Sequence, residues 1–255
     1  MYEFIDAHIH LADDSFNHLL STIHNSLIST NTIVFSMSTN LNSSKQTLDL
    51  SSKIKNVIPF VGIHPDSAKE SDLGKFREFL NKMRKFNYGI GEIGLDESYS
   101  KEKSEYSIQK YVFSEMLDLA EERRKPVSIH SRNSIKDVMD ILSSYNLVSV
   151  LLHWFSSDEY DLKVAEDMGY YVSFGPPILY SKKIKKLVKK SPVEMILIET
   201  DGPISYGACF EGKQALPSLI PTLILELSKI KNCSYKETSD IIYSNSKKYL
   251  NFDLD

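Results

Sequence analysis

The chain has few cysteines, no long apolar run, no excess of positive charge and no glycine-rich turn near its start. Each shortage removes a class of protein. Cys209 and Cys233 are the only cysteines in 255 residues. They form neither a C-x-x-C pair nor a zinc-knuckle spacing, so reduced thiols in a cytoplasmic setting are expected. No apolar stretch approaches the ~20 residues of a membrane-spanning helix, and no membrane partner is expected. The start, Met1-Tyr2-Glu3, lacks the basic segment of a secretory signal. A formal net charge of −4 argues against holding nucleic acid by bulk charge. It leaves room for a protein that grips a few phosphates locally. No Gly/Ser-rich linker or long-period repeat interrupts the chain, so residues 1–255 are expected to form a single domain.

What is present is a rhythm. Short apolar runs recur at Glu3–Ile9, Thr32–Met37, Val57–Ile63, Tyr88–Ile93, Pro126–His130, Ser149–His153, Tyr170–Phe174 and Met195–Glu199. Between and after them lie stretches of helical period: Leu73–Phe86, Ile108–Arg124, Ile135–Ser144, Leu162–Met168, Ile178–Lys189, Pro217–Lys229 and Tyr235–Tyr249, with a weaker Ser- and Asn-rich one at Leu41–Lys55. Strands alternating with helices predict parallel β-α units. Eight of them predict an α/β fold of the (β/α)8 TIM-barrel kind. An open doubly wound sheet would carry a glycine-rich first turn, and here the first turn carries histidines.

In such a barrel the chemistry sits at the C-terminal ends of the strands. The first run ends in His8 and His10, the third in Gly62-Ile63-His64-Pro65, and the fourth in Gly91-Glu92-Ile93-Gly94-Leu95-Asp96. The fifth ends in His130-Ser131-Arg132, the sixth in His153-Trp154 and the eighth in Glu199-Thr200-Asp201. Of seven histidines, only His18 and His24 lie elsewhere. Neutral imidazoles and carboxylates bind borderline divalent metals, and one metal takes about four to six ligands. The six side chains His8, His10, Glu92, His130, His153 and Asp201 suit two such ions (Zn, Mg, Mn, Ni or Fe) at the C-terminal mouth. Glu92, roughly opposite the first strand, is placed to bridge them. A paired metal site stabilises both the attacking and the leaving oxygens of a phosphoryl displacement. Asp6 shares the histidines' strand face one layer deeper and reads as support beneath them. Glu199 reads the same way, and Asp96 as a loop organiser.

The motifs FIDAHIH, GIHPD, GEIGLD, PVSIHSR, LLHWFSS and IETDGP, in this order, resemble the TatD family of metal-dependent deoxyribonucleases, within the amidohydrolase-like TIM barrels. The resemblance covers nearly the whole chain. It implies that His8, His10, Glu92 and Asp201 hold one metal and that Glu92, His130 and His153 hold the other. It also implies that His64 and Arg132 bind the scissile phosphate. Asp201 is then expected to take a proton from the attacking water, with Glu92 and His64 completing the catalytic set. The expected activity is phosphodiester hydrolysis in DNA, by a 3′–5′ exonuclease acting on single-stranded or frayed ends, in a monomer or weak homo-oligomer. The rivals are an amidohydrolase-type enzyme cutting a small phosphoester, lactone or cyclic amide, and a metal-binding scaffold without activity. A glutamate at the fourth strand, where many dinuclear amidohydrolases carry a modified lysine, favours the nuclease.

Two places depart from the family pattern. The family usually reads His-Cys-Phe-Ser-Gly at the sixth strand, against His153-Trp154-Phe155-Ser156-Ser157 here. Trp154 and Phe155 either stack a base or pack the mouth. After Pro203, Lys213 is a candidate replacement for a family arginine. The lysine-rich stretch Ser181–Lys190 has Ile184, Leu187 and Val188 at helical spacing, which predicts a solvated helix on the barrel's outside.

Overall fold

The computed structural model describes residues 4–83 and 86–254. Glu3 of the first expected strand, and Arg84 and Lys85 of the helical stretch Leu73–Phe86, lie outside the described residues. Eight strands, β1 (Phe4–Ile9), β2 (Thr32–Ser36), β3 (Val57–Val61), β4 (Gly89–Asp96), β5 (Val127–Arg132), β6 (Val150–Leu152), β7 (Tyr171–Phe174) and β8 (Ile196–Ile198), form one sheet in chain order. Every neighbouring pair is parallel. The strands are buried on both faces, which is why they read as apolar runs with little alternation. Around them lie α1 (Leu20–Ser29), α2 (Leu41–Lys53), α3 (Glu70–Lys82), α4 (Lys103–Arg123), α5 (Ile135–Leu142), α6 (Glu159–Asp167), α7 (Lys182–Lys190), α8 (Ile220–Lys231) and α9 (Tyr235–Leu250). This is the (β/α)8 barrel that the apolar rhythm predicts.

The closure is not a ladder. Among the described residues no strand pairing joins β8 to β1. Instead Asp201 N donates to His8 O at 2.8 Å and His10 N to Gly202 O at 2.7 Å. Below them Asp6 accepts from Thr200 N at 2.9 Å and from Thr200 Oγ1 at 2.5 Å. At the other end of β8, Asn245 Nδ2 of α9 donates to Val193 O and Ile196 O. Tyr249 of the same helix packs its ring against Phe35, Phe60 and Tyr171. Helix α9 thus plugs the N-terminal end and leaves the C-terminal end open.

The pairing register slips twice, between Asp6 and Ile9 on β1 and between Ile90 and Ile93 on β4. His8 and Glu92 lie inside these slips. A bulge re-aims a side chain that regular alternation would send elsewhere. Strand β4 also runs past its expected end at Ile93, because Gly94, Leu95 and Asp96 pair with His130, Ser131 and Arg132. Gly94 has φ 141°, and a Cβ there would lie 2.0 Å from His130 O. Only glycine lets the two strands approach this closely.

Candidate metal centre

His8 is fully buried, and its Nδ1 meets Ser128 Oγ of β5 at 3.0 Å. That contact aims Nε2 into the mouth, 3.4 Å from Glu92 Oε2 and 3.6 Å from Asp201 Oδ1. His10 follows β1, and its Nε2 lies 3.3 Å from His8 Nε2, 3.2 Å from Glu92 Oε2 and 3.5 Å from Asp201 Oδ1. A tetrahedral ion with ligand bonds of ~2.0–2.1 Å separates its donors by roughly 3.3–3.4 Å. His8, His10 and Glu92 therefore stand at the spacing one divalent cation requires, and Asp201 Oδ1 lies 3.5–3.6 Å from both imidazoles.

The other oxygen of Glu92 faces a second group. Its Oε1 is 2.7 Å from His130 Nδ1 and 2.7 Å from His153 Nε2, and those nitrogens are 3.3 Å apart. This set is drawn in to hydrogen-bond distance, tighter than the first. His64 Nε2 lies 3.6 Å from the same Oε1, with its Nδ1 beside Asp66 Oδ1 at 2.9 Å. His64, Glu92 and His130 thus form a further donor group, alongside one of His8, His153 and Asp201. All six side chains expected as ligands converge here, with His64 against them.

Several supporting contacts were not legible in the sequence. Asp96 Oδ2 lies 2.8 Å from His130 Nε2, so a carboxylate orients the imidazole whose other nitrogen faces Glu92. Asp96 Oδ1 accepts from Ser98 N, which is the loop-organising part of its expected role. Glu199 accepts from Trp154 N at 2.8 Å and from Ser173 Oγ at 2.5 Å, holding the turn after β6. His153 Nδ1 is buried without a hydrogen-bond partner, and Glu199 Oε2 is too far at 3.9 Å.

The electrostatics follow the geometry. Burial pushes the Glu92 carboxyl up, but the surrounding imidazoles, His153 first, hold it well below the usual range. Burial pulls His8 down to about 4. Burial also opposes charge on His10, yet contacts with Asp201 and Glu92 push it up to about 10. His130 is raised against its own burial to about 9 by Asp96 and Glu92. Glu199 is pushed well above its ordinary value, by burial first and then by Asp201.

Above these groups opens a cavity of about 940 Å³, lined by His10, His64, Tyr99, Arg132, Trp154 and Lys183 among others. Arg132 is exposed at the end of β5, and among the described residues no hydrogen bond or ion pair engages its guanidinium. The lysine-rich helix is only partly outside the mouth. Ile184, Leu187 and Val188 of α7 are buried as their spacing predicts, while Lys183 reaches the cavity and donates to Ser156 O. Lys213 is exposed and does not line the cavity. Among the described residues no helix is long and apolar enough to cross a membrane.

A family model described as "TatD related DNase" matches residues 5–251. An uncharacterised metal-dependent hydrolase of Methanocaldococcus jannaschii is 29% identical over 97% of this chain and 96% of its own length. The uncharacterised metal-dependent hydrolase YabD of Bacillus subtilis is 34% identical over 74% of this chain and 75% of its own. Among solved structures, the TatD homolog YjjV of Escherichia coli superposes with a TM-score of 0.90, at 21% identity, covering 98% of this chain and 99% of that one.

Proposed function

Because the chain belongs to the TatD-related DNase family, whose relatives are metal-dependent hydrolases, we propose that it hydrolyses phosphodiester bonds in DNA as a 3′–5′ exonuclease on single-stranded or frayed ends. The observation that carries this reading is Glu92, whose two carboxylate oxygens face two separate donor groups. In this reading His8, His10, Glu92 and Asp201 hold one divalent cation, and Glu92, His130 and His153 hold a second. When bound, the cations supply Lewis-acid chemistry: they draw charge from the phosphate oxygens and lower the pKa of the attacking water. Cys209 and Cys233, both free, fit a reducing cytoplasmic setting.

The chain's own groups then divide the work. Arg132 forks onto the non-bridging oxygens of the scissile phosphate. His64, whose Nδ1 accepts from Asp66 N at 3.3 Å, donates from Nε2 to the same phosphate and offsets the charge that builds there. Asp201 orients the water and takes its proton as the water oxygen bonds to phosphorus and the bond to the leaving 3′ oxygen breaks. The shared cavity above the donors admits a strand end more readily than the middle of an intact duplex.

Metal analysis coupled to a cleavage assay tests the reading. Asp201→Asn should lower kcat at least about a hundredfold, the scale of a lost general base. Glu92→Ala should lower cleavage to background and reduce the bound metal. Cutting of closed circular DNA as fast as linear ends would falsify the exonuclease assignment. Turnover of lactones or hydantoins in place of phosphodiesters would assign the chain to the amidohydrolase alternative.

A further inference from the structure

The turn after β6 carries a residue that the chemistry above does not use. Trp154 follows His153 directly and lines the mouth cavity half-buried, while its neighbour Phe155, which also borders that cavity, is 2% exposed and packs into the core. The two aromatics therefore do different things. Trp154 has φ 45°, a conformation that a bulky side chain rarely adopts. It is held there by its N–H, which faces Glu199 Oε1 at 2.8 Å and Ser173 Oγ at 3.2 Å. Its ring leans on Tyr206, with centroids 5.4 Å apart, and Tyr206 is itself pinned by its hydroxyl donating to Thr200 O. Lys183 ties the same turn at Ser156 O. Strained backbone held by surrounding contacts collects at functional sites. Here the strain presents an indole to the cavity beside His153 and Asp201. Pro203 and Ile204 line the same cavity, so an apolar sector adjoins the donors.

We infer that Trp154 is a stacking platform for the nucleobase at the cleaved end. The inference rests on the nuclease reading and gives that site a specificity-determining residue. An aromatic face takes any base, since stacking reads the π-face and not the hydrogen-bonding edge. The enzyme then grips its substrate by base as well as by phosphate. It prefers a strand end whose terminal base is unpaired, since a base held in a duplex stack is unavailable to the indole.

Trp154 is the sole tryptophan in the chain, so its fluorescence reports on this one position. Titration of the metal-loaded wild type with a cleavage-resistant phosphorothioate thymidine tetramer should quench the emission. The matching abasic tetramer should not. In cleavage assays the wild type should prefer a base-bearing end over an abasic end by roughly 5- to 100-fold in kcat/KM, the range expected of one stacked base. That preference should collapse toward one in Trp154→Leu and be largely restored in Trp154→Phe. Equal quenching by both tetramers, quenching by neither, or an undiminished preference in Trp154→Leu overturns the inference. If the wild type still cuts DNA under any of those outcomes, the nuclease reading stands without it. A metal-loaded wild type that cuts no DNA removes that reading and the platform together.

Discussion

At the residue scale, the donor cluster is a contest between protons and cations. His10 is pushed up to about 10 and His130 to about 9, in each case against burial, by carboxylates that face the same imidazole a cation would use. An unfolded histidine releases its proton near pH ~6.5. Without metal, the native state therefore holds protons that the unfolded chain has lost, from about pH 6.5 to the raised values of about 9 and 10. By linkage, stability falls as pH rises through that window. A divalent cation needs the neutral imidazole, so its apparent affinity climbs with pH across the same range. The expected result is a Tm that drops between about pH 7 and about pH 9 in chelator-treated protein, and drops much less when metal is saturating. Calorimetry in two buffers of different ionisation heat should show protons released on metal binding. A binding heat independent of buffer would show that no proton is displaced. The distances point the same way. His8 Nε2 and His10 Nε2 stand 3.2 to 3.6 Å from each other, from Glu92 Oε2 and from Asp201 Oδ1, while Glu92 Oε1 sits 2.7 Å from His130 and His153. The first group accepts a cation with little movement, and the second must first part its hydrogen bonds.

At the scale of elements, strand positions were legible because parallel strands buried on both faces read as apolar runs, and strand ends were legible because polar side chains there break the run. Where a strand stops was less legible. Strand β4 reaches Asp96 only because Gly94 lets β5 pair alongside it, and nothing local to Gly-Leu-Asp announces a partner so distant in sequence. Helix α1 was not anticipated at all. Its Ser, Thr, Asn and His are weak helix formers, its N-cap Leu19 offers no side-chain cap, and only Ile23 and Leu27 are buried. Regular alternation placed Asp6, His8 and His10 on one face, and the register slip at His8 lies in pairing that alternation does not see. The candidates that converge at the mouth were still legible, because residue type and place at a strand end suffice to pick them out. The supports on other strands were not, because Asp96 and Ser128 reach histidines of β5 and β1 from β4 and β5. Asp96 gives a prediction at this scale. In Asp96→Asn the side-chain oxygen stays with Ser98 N, so an N–H faces His130 Nε2 and favours the tautomer with its proton on Nδ1, the nitrogen aimed at Glu92. Metal affinity at the second group should fall by roughly 10- to 100-fold, the usual cost of losing such a partner. Competition against a chelator measures it, and an unchanged affinity would show that Asp96 only shapes its loop.

For the whole molecule, the closure between β8 and β1 couples the fold to the candidate metal site. His8 and His10 stand on one side of the seam and Asp201 on the other, so the donor spacing is only as firm as the seam. Two backbone hydrogen bonds cross it at the mouth, and the buried Asp6 carboxylate stitches it one layer down through Thr200. Seven of the eight junctions are ladders that tolerate the loss of one side chain. This one depends on a side chain. Asp6→Ala leaves Thr200 N and Oγ1 buried without an acceptor, which should cost about 2–4 kcal/mol in urea unfolding. Asp6→Asn keeps an acceptor for Thr200 N and should cost less. A general loss of stability and a loosened seam are separable by hydrogen exchange. In Asp6→Ala the amides of Asp201 and His10, which cross the seam, should exchange faster than those of the β3–β4 ladder under conditions where the whole barrel remains folded. Metal affinity should weaken in step, since the donors on the two sides are no longer held at fixed separation. If stability falls while those two amides keep their protection, Asp6 supports β1 locally and the seam is held by its backbone bonds alone.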